Sequence, residues 1–139
     1  MKHEYQIVER SPTPEEYKKL RQAVRWVKLD DEAIRKGLEN SLFSVCAVFQ
    51  GEIIGCGRVI GDDGIYFYIQ DVIVLPEFQG KGVGKCIMNV IIEYLKTHAH
   101  NNSFIGLMAA KGVSAFYEKY GFKKRANDAP GMFLMWKTR

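Results

Sequence analysis

Between Gln79 and Lys85 the chain reads QGKGVGK, with glycines at 80, 82 and 84 alternating with Lys81, Val83 and Lys85. A strand-like apolar run closes just ahead of it at Pro76, and a helix-like apolar pattern begins inside it. Few folds need three glycines between a strand and a buried helix. Glycine takes positive φ at little cost and lets other atoms approach the backbone closely. A turn of this kind feeding a helix leaves several N–H groups unpaired and pointing outward. The helix dipole adds partial positive charge at the same place. Together these predict a phosphate cradle, with Lys81 and Lys85 at its rim. The bland alternative is a tight turn, which does not require three glycines ahead of a buried helix.

The rest of the chain supplies elements around that junction. The segment EYQIVER, residues 4–10, reads as a first strand. In TPEEYKKLRQAVRW, Thr13 can cap, Pro14 suits the first helical position and Glu16 completes a capping box. Tyr17, Leu20, Val24 and Val27 then recur at helical spacing. Asp30 is placed to cap a second helix with Ile34 and Leu38 one turn apart. Three β-branched and aromatic runs follow: LFSVCAVF, EIIGCGRVI and IYFYIQDVIV. The turns Gln50-Gly51 and Gly61-Asp62-Asp63-Gly64 separate them, which predicts an antiparallel meander. Val83, Ile87, Val90, Ile91, Tyr94 and Leu95 form one broad apolar helix face. SFIGLMA reads as a strand, KGVSAFYEKY as a helix ended by Gly121, and GFKKR and MFLMWKT as two last strands. No linker, repeat or low-complexity segment interrupts residues 1–139, so the expectation is one mixed α/β domain, of α+β type.

Bulk properties exclude more than they identify. The chain is 47% hydrophobic and 26% charged with a net charge of +4. That is an ordinary globular profile without the concentrated basic stripe of nucleic-acid binders. Cys46, Cys56 and Cys86 show no paired or metal-ligand spacing and lie in apolar runs, so each reads as a small buried hydrophobe. No metal site is expected. The start MKHEYQIVER has no signal-peptide character and no apolar run approaches about 18 residues, so a cytoplasmic protein without membrane attachment is expected.

Two familiar phosphate loops fail on the glycine segment. The Walker pattern needs Gly five positions before Gly84, where Gln79 stands, and Ser or Thr where Cys86 stands. The dinucleotide pattern fails because Lys85 or Ile87 occupies its last glycine position. What remains is Gln79-x-x-Gly82-x-Gly84, straight after a strand and straight before a helix. This resembles the signature of the GNAT superfamily of acyl-coenzyme A-dependent N-acetyltransferases. The whole segment DVIVLPEFQGKGVGKCIM is similar to that family's cofactor motif, and AFYEKYGF, residues 115–122, to its C-terminal helix and following strand. The two motifs lie about 35 residues apart on a matching element order.

The resemblance implies a mixed central sheet of about seven strands flanked by four helices, with a splayed strand pair forming the coenzyme A slot. It implies that backbone N–H groups across Gln79, Gly80, Lys81, Gly82, Val83, Gly84 and Lys85 hold the pyrophosphate. It further implies that the backbone of Val72, Ile73 and Val74 pairs with the pantetheine arm, strand-fashion. The reaction implied is acetyl transfer from acetyl-coenzyme A to a primary amine by direct attack in a ternary complex. Most of the rate can then come from holding two reactants together. By the family match Tyr117 is the candidate acid for the departing thiolate, with Tyr120 the neighbouring alternative. A backbone N–H near Val74 is the expected oxyanion donor.

Asp71 is the candidate base. Strand alternation puts it on one face with Phe67, Ile69 and Ile73, and a carboxylate among apolar neighbours is paired or functional. Arg58 is its natural partner, but a hairpin set by the Gly61–Gly64 turn places Arg58 opposite Phe67 and Ile54 opposite Asp71. That separates the charges by about 13 Å. Gly57 and Arg58 are expected on the acceptor side, with Trp26, Tyr66 and Tyr68 as walls or core. His3, His98 and His100 read as peripheral. One departure from the family is the stretch Ala109-Ala110-Lys111-Gly112, which lacks the asparagine often found before the second motif. The acceptor is expected to be a small-molecule amine. The alternatives are a protein N-acetyltransferase and a non-catalytic coenzyme A-binding module, and a homodimer is common in the family.

Overall fold

The computed structural model describes residues 4–138. It divides into two compact units, residues 1–107 and 108–139, each considered by itself.

The first unit is a five-stranded sheet in chain order, β1 to β5, with helices on both faces. The strands are β1 Tyr5–Val8, β2 Phe43–Phe49, β3 Glu52–Gly61, β4 Tyr66–Val74 and β5 Phe104–Leu107. The first four pair antiparallel as the expected meander, and β5 returns parallel to β4 after a long helix. The α1 helix, Pro14–Ala23, begins with the capping box read from the sequence. Glu16 N donates to Thr13 Oγ1 at 3.1 Å and Thr13 N to Glu16 Oε1 at 2.9 Å. The α2 helix, Asp31–Glu39, starts on Asp30, whose carboxylate accepts from Ala33 N at 3.0 Å.

The α3 helix, Val83–His98, buries Val83, Ile87, Met88, Ile91 and Leu95. It comes so close to β3 that a Cβ on Gly57 would sit 2.8 Å from Ile87 Cγ2. Gly57 is therefore a packing glycine beneath α3, not a lining of the acceptor side as expected. Tyr17 and Arg58 reach the other face of the sheet from α1 and β3, where α2 also packs.

Two sequence expectations about strand geometry are corrected. The β3–β4 hairpin does not turn tightly over Gly61–Gly64. Asp62 Oδ1 accepts from the N–H groups of Gly64, Ile65 and Tyr66 at 2.9, 2.8 and 3.0 Å, which builds a longer loop and pairs Gly61 with Phe67. Further along, Cys56 pairs Ile73 while Arg58 pairs Gln70, so Asp71 and Val72 together oppose Gly57. This is a β-bulge, and Asp71 takes φ 59° to make it. Second, the predicted final strands in GFKKR and MFLMWKT do not form among the described residues, so the sheet has five strands where about seven were expected.

The second unit contains α4, Ser114–Glu118, shorter than its sequence pattern suggested. Gly121 follows at φ 95°, the left-handed residue expected after this helix. Met132, Phe133, Leu134, Met135 and Trp136 are exposed.

Candidate active site

The β4–α3 junction is built as a cradle. Pro76–Phe78 forms a single 3₁₀ turn after β4, and the chain reaches α3 through Gly80 at φ 77° and Gly82 at φ 85°. Both are left-handed, the region glycine occupies without penalty. A Cβ added to either would find nothing within 4 Å, so the space above the turn is open. Gly82 caps α3 without any side-chain hydrogen bond, and the first intrahelical bond runs from Cys86 N to Gly82 O at 3.0 Å. The opening N–H groups of the helix thus meet no capping side chain, and the macrodipole favours an anion there. Lys81 and Lys85 are exposed at this turn. Gln79 does something the sequence did not disclose: its Nε2 donates to Val74 O at 2.9 Å and ties the turn to the end of β4.

The strand leading into the cradle is half-open. The β4–β5 ladder runs from Tyr66–Phe104 to Ile69–Leu107 and stops. Gln70 to Val74 has no ladder partner on that side among the described residues, while Ile73 and Val74 stay paired to Cys56 and Gly55 on the other. An extended arm can add to such an edge by main-chain hydrogen bonds. A pyrophosphate on the cradle and an extended amide-bearing arm along Val72–Val74 fit the residues present.

Asp71 sits at the head of that open segment and is 3% exposed. Its Oδ2 accepts from Tyr17 Oη at 2.8 Å and from Arg58 Nε at 2.8 Å. Its Oδ1 accepts from Gln70 Nε2 at 3.2 Å and lies 3.7 Å from Arg21 Nη1. The 13 Å separation expected for Arg58 is overturned, because the Asp62 loop and the bulge slide β4 along β3. Arg58 also donates to Gly37 O and Ser41 Oγ, each at 3.1 Å, and so joins α2 to the same carboxylate. Burial, then the adjacent Asp71 charge, push the Tyr17 phenol up to about 12. Tyr17 and Arg21 stand at i and i+4 of α1. Their spacing could have signalled a shared target, but Tyr17 reads in the sequence only as a core position.

Tyr117 belongs to the second unit. Its ring meets Phe116 edge-on at 5.1 Å and Phe122 at 6.3 Å. Burial raises its phenol above the ordinary value, so it keeps its proton at neutral pH. Cys46 and Cys56 are buried free thiols, as read, and Cys86 is half-buried with its Sγ 3.5 Å from Tyr5 Oη. His98 stacks on Tyr94 at 4.0 Å and lies 3.3 Å from Asp63, away from the cradle turn in sequence and chemistry. His3 lies outside the described residues. No cluster of potential metal ligands occurs among the described residues, and no helix among them is long and apolar enough to cross a membrane.

Comparison with known proteins agrees with this geometry. Residues 40–124 match the family model of the acetyltransferase (GNAT) domain, a span that includes the cradle and α4. The uncharacterized N-acetyltransferase ycf52 of Pyropia yezoensis is 32% identical over 122 residues, covering 85% of this chain and 69% of that protein. A crystal structure of a "Probable Acetyltransferase" of unknown function from Meticillin-Resistant Staphylococcus aureus superposes with a TM-score of 0.90. It shares 35% identity and covers 95% of this chain and 99% of its own. A GNAT family acetyltransferase of Streptococcus pneumoniae superposes with a TM-score of 0.80 at 26% identity, over 96% of this chain and 99% of its own.

Proposed function

The chain belongs to the GNAT family of acetyltransferases, and from that premise we propose that it transfers an acetyl group from acetyl-coenzyme A to the primary amine of a small molecule. The observation that carries the proposal is the open, doubly left-handed turn at Gly80 and Gly82 directly beyond an unpaired β4 edge. In this reading the N–H groups from Gln79 to Lys85 hold the pyrophosphate, and Val72–Val74 lay the pantetheine arm along the strand. The neutral amine attacks the thioester carbonyl. A C–N bond forms, the C–S bond breaks, the nitrogen gives a proton to solvent, and the thiolate takes one from Tyr117. The phenol carries its proton at neutral pH, the form a donor needs, while burial makes it a weaker acid than a free phenol.

Asp71 has a different duty here from the base expected of it. Two arginines and a tyrosine meet its oxygens, contacts that suit a residue that orders its surroundings. We assign it to positioning: it holds the bulge that shapes the open segment. Free thiols at Cys46, Cys56 and Cys86 suit a reducing compartment, which supports the cytoplasmic reading.

The test is release of free thiol from acetyl-coenzyme A in the presence of a panel of small amines and of peptides. Turnover with small amines is expected. Turnover with peptides alone would favour protein acetylation, and binding without turnover would favour a coenzyme A-binding module. Tyr117→Phe should lower turnover about 10²-fold with little change in affinity for coenzyme A. Undiminished turnover removes the acid role.

A further inference from the structure

A cavity of about 520 Å³ opens where α1 passes into α2, and its lining is cationic and aromatic. Lys18, Arg21, Arg25 and Lys28 contribute four positive charges and Asp31 one negative, with Trp26 as the aromatic wall. Asp31 is taken up by Lys18 at 2.9 Å. Arg25 and Lys28 enter no ion pair among the described residues. Arg21 is a nearly buried guanidinium whose side chain is 12% exposed. It donates to Val27 O at 2.8 Å and to Tyr17 Oη at 3.2 Å, and lies over the Trp26 ring at 5.3 Å. Its Nε is buried with no hydrogen-bond partner among the described residues.

Arg25 adds an independent signal. The α1 helix ends in a Schellman motif: Trp26 N donates to Arg21 O at 3.0 Å and Arg25 N to Gln22 O at 3.0 Å. The residue at the centre of that motif must be left-handed, and glycine is the usual choice. Here it is Arg25 at φ 62°. A non-glycine residue in that region costs about 1–2 kcal/mol. Arg25, a left-handed non-glycine residue, thus lines the same cavity as the nearly buried Arg21. Strain of this kind gathers at binding sites.

We infer that this cavity binds an anionic group, a carboxylate or phosphate, carried by the acceptor amine, with the acceptor's apolar body against Trp26. The inference rests on the acetyl-transfer reading above and narrows its acceptor. Arg21 is the physical link, because the same guanidinium lines the cavity and lies 3.7 Å from Asp71, which precedes Val72 on the open edge. A carboxylate or phosphate entering here meets the exposed cations Arg25 and Lys28 beside the Arg21 guanidinium. Polyamines, by contrast, bring like charge to the site and are disfavoured.

The test uses matched acceptors in the thiol-release assay: phenylalanine against phenylalaninamide, and O-phosphoethanolamine against ethanolamine. The anionic member of at least one pair should show a kcat/KM at least tenfold higher, and which pair does so separates carboxylate from phosphate. Arg25→Gly relieves the backbone strain, so it should fold with an unchanged or higher Tm, and it should cut that anionic-over-neutral ratio at least fivefold. Equal kcat/KM within both pairs, or an unchanged ratio in Arg25→Gly, overturns the inference. Should no amine be turned over, the transfer reading fails and the cavity is judged by binding. Saturable quenching of tryptophan fluorescence by phenylalanine or O-phosphoethanolamine, weakened in Arg25→Gly, sustains the anion site, and its absence overturns it.

Discussion

Asp71 shows how one residue can carry a structural and a catalytic expectation that make opposite forecasts. As the shared acceptor of Tyr17, Arg58 and Arg21, it is the anion that keeps two nearly buried guanidiniums compensated. Asp71→Asn leaves those cations facing a neutral amide, and breaking a buried pair in this way costs about 3–5 kcal/mol. Chemical denaturation should register that loss, while the pH–rate profile of the surviving enzyme keeps its shape. A displaced profile at undiminished stability would instead restore Asp71 as the base. Gly82 makes the complementary case. Its left-handed φ penalises any side chain, yet the space around it is empty. Gly82→Val should therefore remain folded and weaken coenzyme A binding at least tenfold, as read by calorimetric titration. Unchanged affinity would remove the phosphate cradle.

At the scale of elements, the helix caps and the antiparallel meander are legible in the chain, and the exact strand register is not. The capping box at Thr13, the Asp30 cap, the start of α3 and the left-handed Gly121 are all visible in the sequence, because each depends on a few neighbouring residues. The β3–β4 register is not, because Asp62 gathers three N–H groups and lengthens the loop. The glycine at 57 likewise looks like an active-site lining until α3 is seen lying against it. The half-open β4 makes an element-level forecast. Saturation with acetyl-coenzyme A should slow amide exchange at Val72–Val74 and across Gly80–Lys85, with little change in the paired stretch Tyr66–Ile69. Uniform protection across the sheet would mean that the ligand stabilises the fold without pairing to this edge.

For the whole molecule, several acidic groups are held neutral by burial. Burial pushes the Cys46 thiol up to about 11 and carries the Tyr17 phenol to about 12. Both folded-state values lie above those of the unfolded chain, so each proton is bound more tightly in the native state. Their contribution to stability is fully present below about pH 9 and is lost as the pH rises through about 11–12. Thermal unfolding across that range should show a plateau followed by a steep alkaline fall in Tm, and a flat profile would mean these groups are not buried in solution. The chain's own residues determine the α/β class, the helix caps and the open glycine turn into α3. These follow from backbone torsion, side-chain period and hydrogen bonds closed within a few positions. Only the tertiary structure decides that Arg58 reaches Asp71 and that the sheet stops at five strands among the described residues. Each of these turns on which distant segments pair and in what register, where a shift of one residue exchanges the faces of a strand.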